Sequence, residues 1–471
     1  MRAHEAGALH AEGYRGPAWL ETPVDVNALV PALWASSVTR DAGGVVTVAG
    51  VPVTRLAHEF GTPAYVLDEN DFRSRAREFK QQYAAGFAPL SGADVFYAGK
   101  AFLCTEVVRW IDADGLNLDV CTGGELEVAR RVGFPGSRIG MHGNNKTVAE
   151  IRAGLEYGVA RIVVDSLEEV DRIAAVAAEL GVVAPVLVRV NVGVEAHTHE
   201  FIATAHEDQK FGLSLAGGQA LEAVRRILDR SGTMRLLGLH SHIGSQIFDT
   251  AGFEVSARRV LGLHALVTRE LGADLPELDL GGGFGIAYTT EHDPQSPSAL
   301  AAEMADIVER ECRAEGVPVP RISVEPGRAI AGPSTFTLYE VGTVKPVELG
   351  GGARRLYVSV DGGMSDNIRT ALYDAHFSCT VANRCSPADP VLARVVGRHC
   401  ESGDIVVMDE FLPADVGDGD LIAVPGTGAY CRALSSQYNH TPRPPVLAVR
   451  DGAARVVVRR ETIDDILALD V

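Results

Sequence analysis

The chain has 471 residues, 46% of them hydrophobic and 22% charged, which excludes wholesale disorder, a collagen-like chain and a repeat array. Forty-three basic against 62 acidic side chains leave a formal charge of −19, so neither a nucleic acid nor an anionic membrane is the expected partner. No apolar run approaches the ~20 residues that span a bilayer, and the first residues lack the apolar segment of a secretory signal.

The seven cysteines, at 104, 121, 312, 379, 385, 400 and 431, are odd in number and include no CxxC pair. They are expected to be free thiols in a reducing compartment, the cytoplasm, rather than a disulfide frame or a zinc site.

In chain order, residues 1–35 read as a loosely structured, variable lead-in. Residues 36–61 contain a β-rich stretch, Val45 to Val53, with a Gly-containing turn, and are expected to join a later β-domain. From 62 the pattern changes to short apolar runs starting near 64, 94, 117, 138, 161, 185, 235, 277 and 321, separated by helix-like stretches rich in Ala, Leu and Glu. Ser166 with Glu169 three residues on predicts a capping box at one helix start. Apolar strands alternating with helices imply a parallel sheet covered on both faces. The number of runs and the span of 62–330 suit a (β/α)8 barrel, with a doubly wound open sheet as the alternative. After 331 the runs become β-branched and are divided by Gly, Pro and Asp, predicting a C-terminal antiparallel β-domain over 331–471.

Lys100, Asp119, His142, Asp165, His242, the glycines at 281–283 and Glu325 all fall at the C-terminal ends of their runs. That edge is where barrels and open α/β sheets build their sites.

Four segments carry candidate chemistry. Lys100 closes YAGK (97–100): read blandly it snorkels out of the core, and read functionally it is an amine held partly dry for Schiff-base chemistry. The GGGFG turn (281–285) lets backbone N–H groups approach an anion, though a plain tight turn fits equally well. In EPGR (325–328) proline stiffens the turn that aims Glu325 and Arg328, unless these form a surface ion pair. A carboxylate at 325 suits a protonated ring nitrogen. In HSHIGSQ (240–246), His240 and His242 raise the question of a metal, as do His197 and His199. Neither pair has a third ligand of fitting spacing, so no metal is expected; a ring-stacking imidazole or a satisfied buried histidine is the alternative.

In this order the four segments, with a β-domain behind them, resemble the fold-type III pyridoxal-phosphate decarboxylases, which include the ornithine, arginine and diaminopimelate decarboxylases. The stretch EAHTHEFIATAHEDQKFGLS (195–214), NIRTALY (367–373) and CESGD (400–404) resemble the diaminopimelate branch. The likeness runs from about residue 40 to about residue 460. Gly99 departs from it, standing where many relatives carry Val or Ile.

The resemblance implies a first barrel strand at the lysine, making 64–68 a lead-in and the strands eight. It implies pyridoxal 5'-phosphate as cofactor, attached to Lys100, with His242 on its ring and Glu325 at its ring nitrogen. Ser245, Gly282, Gly283 and the Pro326, Gly327 and Arg328 neighbourhood would hold the phosphate, with Asp119 and Tyr430 also at the cofactor. Arg328, Arg369, Tyr373, Glu401 and Tyr430 would bind substrate, and Cys400 would donate a proton. Cys400 and Glu401 would reach the neighbour's site in a homodimer with shared active sites. The implied substrate is meso-diaminopimelate, decarboxylated to L-lysine in the last step of lysine biosynthesis. A decarboxylase of ornithine, arginine or carboxynorspermidine, or a non-catalytic relative that carries the cofactor, is the rival.

Overall fold

The computed structural model describes residues 16–193, 210–350 and 352–471, and the chain divides into two units. One gathers Arg73–Gly285 and Pro294–Ala329; the other gathers the N-terminal segment up to Phe72, Ile286–Asp293 and Ile330–Val471.

The first unit is the barrel. Its eight parallel strands are β1 (Ala93–Ala98), β2 (Asn117–Val120), β3 (Ile139–Met141), β4 (Arg161–Val164), β5 (Ala184–Asn191), β6 (Met234–His240), β7 (Glu277–Asp279) and β8 (Arg321–Val324). Ile162 opposite Val186 joins β4 to β5, and Ile322 opposite Ala93 returns β8 to β1, so the sheet closes on itself. The strands are largely apolar because both faces are covered; every residue of β3 and β4 is buried, Arg161 included.

Ser166 caps the helix Leu167–Leu180 by accepting the Glu169 N–H. The expected reciprocal half of the capping box does not form. Glu169 turns inward instead, accepting from the Asp165 N–H at 2.9 Å and from Lys146 Nζ at 3.0 Å. Lys146 is 1% exposed, and its charge claims the carboxylate that an exposed helix start would have used for the cap.

The second unit is built on one long strand, β9 (Thr335–Gly350). It pairs antiparallel with β10 (Ala353–Val360), which is followed by β11 (Pro390–Val396) and β12 (Ile405–Pro413). Along its first half β9 also pairs with β13 (Leu421–Pro425) and with the strand Ala64–Asp68. Beyond that strand lie β14 (Val446–Arg450) and β15 (Ala453–Val458). Most pairings are antiparallel, as expected, but β10–β11 and the pairing of β14 with Ala64–Asp68 are parallel.

Ala64–Asp68 is thus a central strand of this sheet and not a lead-in of the barrel, with Val66 opposite Phe336. Its unbroken apolar run reads the same in either setting, because both bury both faces. Residues 16–35 also differ from a loose lead-in. Leu33, Trp34 and Ala35 are buried in the core with Val46, Val66, Phe336 and Leu338, and Asn27 exchanges two hydrogen bonds with Ser386. Each large apolar side chain buried there contributes ~1.5–3 kcal/mol, enough to hold a segment with little regular structure beyond the 3-10 turn Pro31–Leu33.

Candidate active site

The barrel's C-terminal edge gathers the polar groups singled out in the sequence. Lys100 follows β1 in an exposed turn. Gly99 donates to the Asp119 carbonyl at 3.0 Å, and a Cβ at 99 would come within 2.8 Å of that oxygen, so β1 and β2 close up immediately before the lysine.

Beneath lies a cluster of buried acids. Asp119, Asp279 and Glu325 are each at most 7% exposed. Burial drives the Asp119 carboxyl well above the usual carboxylate range and the charge of Asp279 adds to the rise, while Arg161 and Lys100 oppose it. Burial likewise raises Glu325, against the neighbouring His142. Arg161, the first residue of β4, pairs with Asp279, donates to Ser323 Oγ at 2.9 Å and lies 3.3 Å from Glu277.

Two imidazoles face Glu325 Oε1: His240 Nε2 at 3.0 Å and His142 Nε2 at 3.4 Å, the latter also 3.2 Å from Asp119. Burial pushes His142 down to about 4 and His240 well below its ordinary value, so both are neutral near pH 7. Both Asp119 carboxylate oxygens, His142 Nε2 and His240 Nδ1 are buried without a hydrogen-bond partner. Such a cluster holds more acid than cation and has bonds to spare.

At the rim, Arg328 Nη2 donates to Ser245 Oγ at 2.6 Å. His242 is held by the Gly282 N–H, which donates to its Nδ1 at 3.2 Å, and burial pushes this imidazole well below its ordinary pKa too. The three glycines are needed. Gly281 and Gly283 have φ of +72° and +104°, and a Cβ at 282 or 283 would sit 2.3 or 2.6 Å from the carbonyl oxygens of Glu325 and Gly244. Gly327 is similarly confined, its Cβ position lying 2.8 Å from the Ala98 carbonyl, so the turn of Pro326 packs on β1.

Pyridoxal phosphate fits this set. Lys100 is the amine that would attach it. A protonated ring nitrogen is the cation that the acid cluster lacks, and Ser245, Arg328 and the glycine turn would take the phosphate. His142, His240 and Glu325 also bring ligand atoms within 4.8 Å of one another, the make-up of a three-donor metal site, but both uses call on the same Glu325. The pair weighed for a metal from sequence is split. β6 ends at His240, so the alternation that would align it with His242 stops there. His197, His199 and residues 195–209 of the EAHTHEF stretch lie outside the described residues.

The sheet unit holds a second group. Arg369 opens the short helix Arg369–Tyr373 and is buried; its guanidinium lies 5.0, 6.0 and 5.7 Å from the ring centres of Tyr288, Tyr373 and Tyr430. Tyr430 takes a φ of +64° to do so. Cys400 and Glu401 are exposed on the loop before β12 and share no contact with this trio among the described residues. Asp404 ties that loop down by accepting from the N–H groups of His399 and Met364.

Sequence reasoning missed Arg161, Arg189, Asp279 and Tyr288. The signal for the arginines was a charge opening an apolar strand run, at Arg161, or inside one, at Arg189. Arg189, at position six of β5, stacks on Phe211 at 4.6 Å and faces Asp165 at 3.8 Å. A buried charge in such a place has a partner to find.

A lysine at a barrel mouth, a buried acid cluster and an Arg328–Ser245 pair at the rim suit one class: a pyridoxal-phosphate enzyme on a parallel barrel. Residues 69–332 match the family described as "Pyridoxal-dependent decarboxylase, pyridoxal binding domain". The diaminopimelate decarboxylase of Mycobacterium tuberculosis is 58% identical over 447 residues, covering 94% of this chain and 98% of the relative. That of Mycobacterium leprae is 54% identical over the whole of both chains. The crystal structure of the M. jannaschii diaminopimelate decarboxylase with L-lysine superposes with a TM-score of 0.85 at 29% identity, over 93% of this chain and 98% of that one. The chain belongs to the diaminopimelate decarboxylase family.

Proposed function

We propose that the protein decarboxylates meso-2,6-diaminopimelate to L-lysine and CO2 with pyridoxal 5'-phosphate, the last step of lysine biosynthesis. The observation that carries the substrate choice is Arg369. It is 6% exposed, and among the described residues no carboxylate lies within ion-pair distance of it. A buried guanidinium with no acid of its own is costly unless a ligand supplies the anion. One end of diaminopimelate reacts; the other end keeps a carboxylate that a diamine-forming substrate such as ornithine does not have.

Bound pyridoxal phosphate supplies an electron sink for the pair left on Cα when CO2 departs. Lys100 would attach the cofactor. Glu325 would face its ring nitrogen, and the neutral His142 and His240 keep that carboxylate in place without competing for its charge. Asp119, beside His142, would add negative potential. His242 would pack on the ring. Ser245, Gly282, Gly283, Pro326, Gly327 and Arg328 would hold the phosphate, and Tyr430 is a further cofactor residue. Arg369, Tyr373 and Arg328 bind the substrate's distal end, Glu401 takes its ammonium, and Cys400 returns a proton to Cα. Cys400 and Glu401 serve the other copy's site in a homodimer, which accords with their exposure on a loop of the sheet unit. The enzyme is cytoplasmic; among the described residues no helix is long and apolar enough to cross a membrane.

The test is CO2 release from meso-diaminopimelate, ornithine and arginine in parallel. Only the first is expected to react, because a site built for a buried charge pair rejects a ligand that leaves it unpaired. Comparable release from ornithine or arginine would overturn the substrate assignment.

A further inference from the structure

Arg369 raises a question that its proposed role leaves open. A long, flexible cation buried without a carboxylate must still be held in one orientation, or its charge is of little use to a ligand. The Arg369 Nη1 donates to the Tyr288 hydroxyl at 2.9 Å, and its guanidinium lies 5.0 Å from that ring's centre.

Tyr288 is itself immobilised. It is 3% exposed, and its ring meets Phe377 edge-on at 5.1 Å between centres. Its N–H donates to His292 Nδ1 at 3.3 Å, and its carbonyl accepts the Ser378 N–H at 3.2 Å. Gly426, at a φ of +76°, packs so close that a Cβ there would come within 3.1 Å of the ring. By contrast, Tyr373, the ring near Arg369 on its own helix, is 62% exposed.

We infer that Tyr288 is the positioning residue of the distal-carboxylate site: a neutral acceptor that orients Arg369 and leaves its charge for the substrate. This rests on the reading of Arg369 given above. An aspartate or glutamate in the same place would orient the guanidinium equally well, but it would neutralise it and compete with the ligand. A tyrosine hydroxyl accepts a hydrogen bond and carries no charge near neutral pH. At Arg369 the charge that selects an anionic distal end and the group that orients it are thereby two residues, one charged and one neutral.

The test is Tyr288→Phe in the cofactor-loaded enzyme, which keeps the ring and its packing and removes the acceptor. The KM for meso-diaminopimelate is expected to rise about 10-fold, the loss of one hydrogen bond to a charged group, with kcat within about 2-fold and cofactor content unchanged. Two ligands separate orientation from general damage: L-lysine, which retains the distal carboxylate, and pentane-1,5-diamine, which lacks it. Calorimetry should show Tyr288→Phe weakening lysine and leaving the diamine as in the wild type. In an Arg369→Ala background, Tyr288→Phe should weaken lysine no further. An unchanged KM, equal loss of both ligands, or additive effects of the two substitutions would overturn the inference. The binding measurements need no turnover. A wild type that fails to decarboxylate diaminopimelate but binds lysine through Tyr288 and Arg369 would sink the substrate assignment alone, whereas binding of neither ligand would sink both.

Discussion

Arg161 in the barrel unit and Arg369 in the sheet unit are both buried, at 1% and 6% exposure, yet their surroundings differ in kind. Arg161 is enclosed by acids: it pairs with Asp279, lies 3.3 Å from Glu277 and sits over the Phe96 ring at 3.9 Å. Burial works against its charge, and Asp279, Asp119, Glu277 and Glu325 overcome that, so its pKa is raised. Among the described residues Arg369 has three tyrosine rings, one of whose hydroxyls it bonds, and no acid. The first cation is used up in holding the barrel interior together. On the proposal above, the second keeps its charge for the substrate. Burial alone therefore does not single out Arg369; its want of a counter-charge among the described residues does.

The largest effects come from disabling one unit at a time. Lys100→Ala should abolish turnover and leave the fold intact, since an exposed strand-end side chain carries little of the core. Cys400→Ala should be severely impaired as well. If the two residues act in sites shared across a two-fold dimer, mixing these variants with subunit exchange should restore about a quarter of wild-type activity, because each mixed dimer has one site free of both lesions. No recovery despite proven exchange would place Cys400 in its own subunit's site.

Next in size, the two arginines should fail differently when truncated. Arg369→Ala should cost ~2–5 kcal/mol of substrate binding, read as a raised KM, with cofactor uptake and thermal unfolding near wild type. Arg161→Ala should cost ~3–5 kcal/mol of stability instead, because it strands Asp279 without its cation. A wild-type KM in Arg369→Ala, or an undiminished melting temperature in Arg161→Ala, would dissolve the contrast.

The smallest effect concerns a buried acid of the sheet unit with no ion-pair partner among the described residues. Asp366 accepts from the Tyr339 hydroxyl and from the Gly363 N–H at 2.8 Å, and burial pushes its carboxyl up to about 7. An unfolded aspartate titrates near ~3.9, so between these values the folded state holds the proton that the unfolded chain has released. Stability from this group is complete below ~pH 4, falls as pH rises to about 7 and is flat above. Asp366→Asn should remove that slope, gaining on the wild type across the window in denaturant unfolding. Parallel curves from pH 4 to 8 would show that Asp366 ionises freely in the fold.

Nine apolar runs, several with polar residues at their C-terminal ends, sufficed to anticipate a parallel sheet, as a barrel or a doubly wound one, and the edge that carries Lys100, Asp119, His242 and Glu325. This works because a strand covered on both faces is mostly apolar, and site residues gather at or just past its C-terminal end. The segments YAGK, HSHIGSQ, GGGFG and EPGR named the chemistry through their kinship. Other features were decided by tertiary structure alone. The run at 64–68 is as apolar as a barrel strand, and only its pairing with Phe336 and Leu338 assigns it to the sheet. Glu169 had the spacing of a cap, and only the nearness of Lys146 turned it inward. Tyr288, five residues past Gly283, belongs by chain order to the barrel's glycine turn, yet Ile286–Asp293 is part of the sheet unit, where Tyr288 meets Arg369 eighty-one positions later. Periodicity reports which faces are buried; it does not report which distant residue fills the space opposite, because that is set by the packing of whole elements.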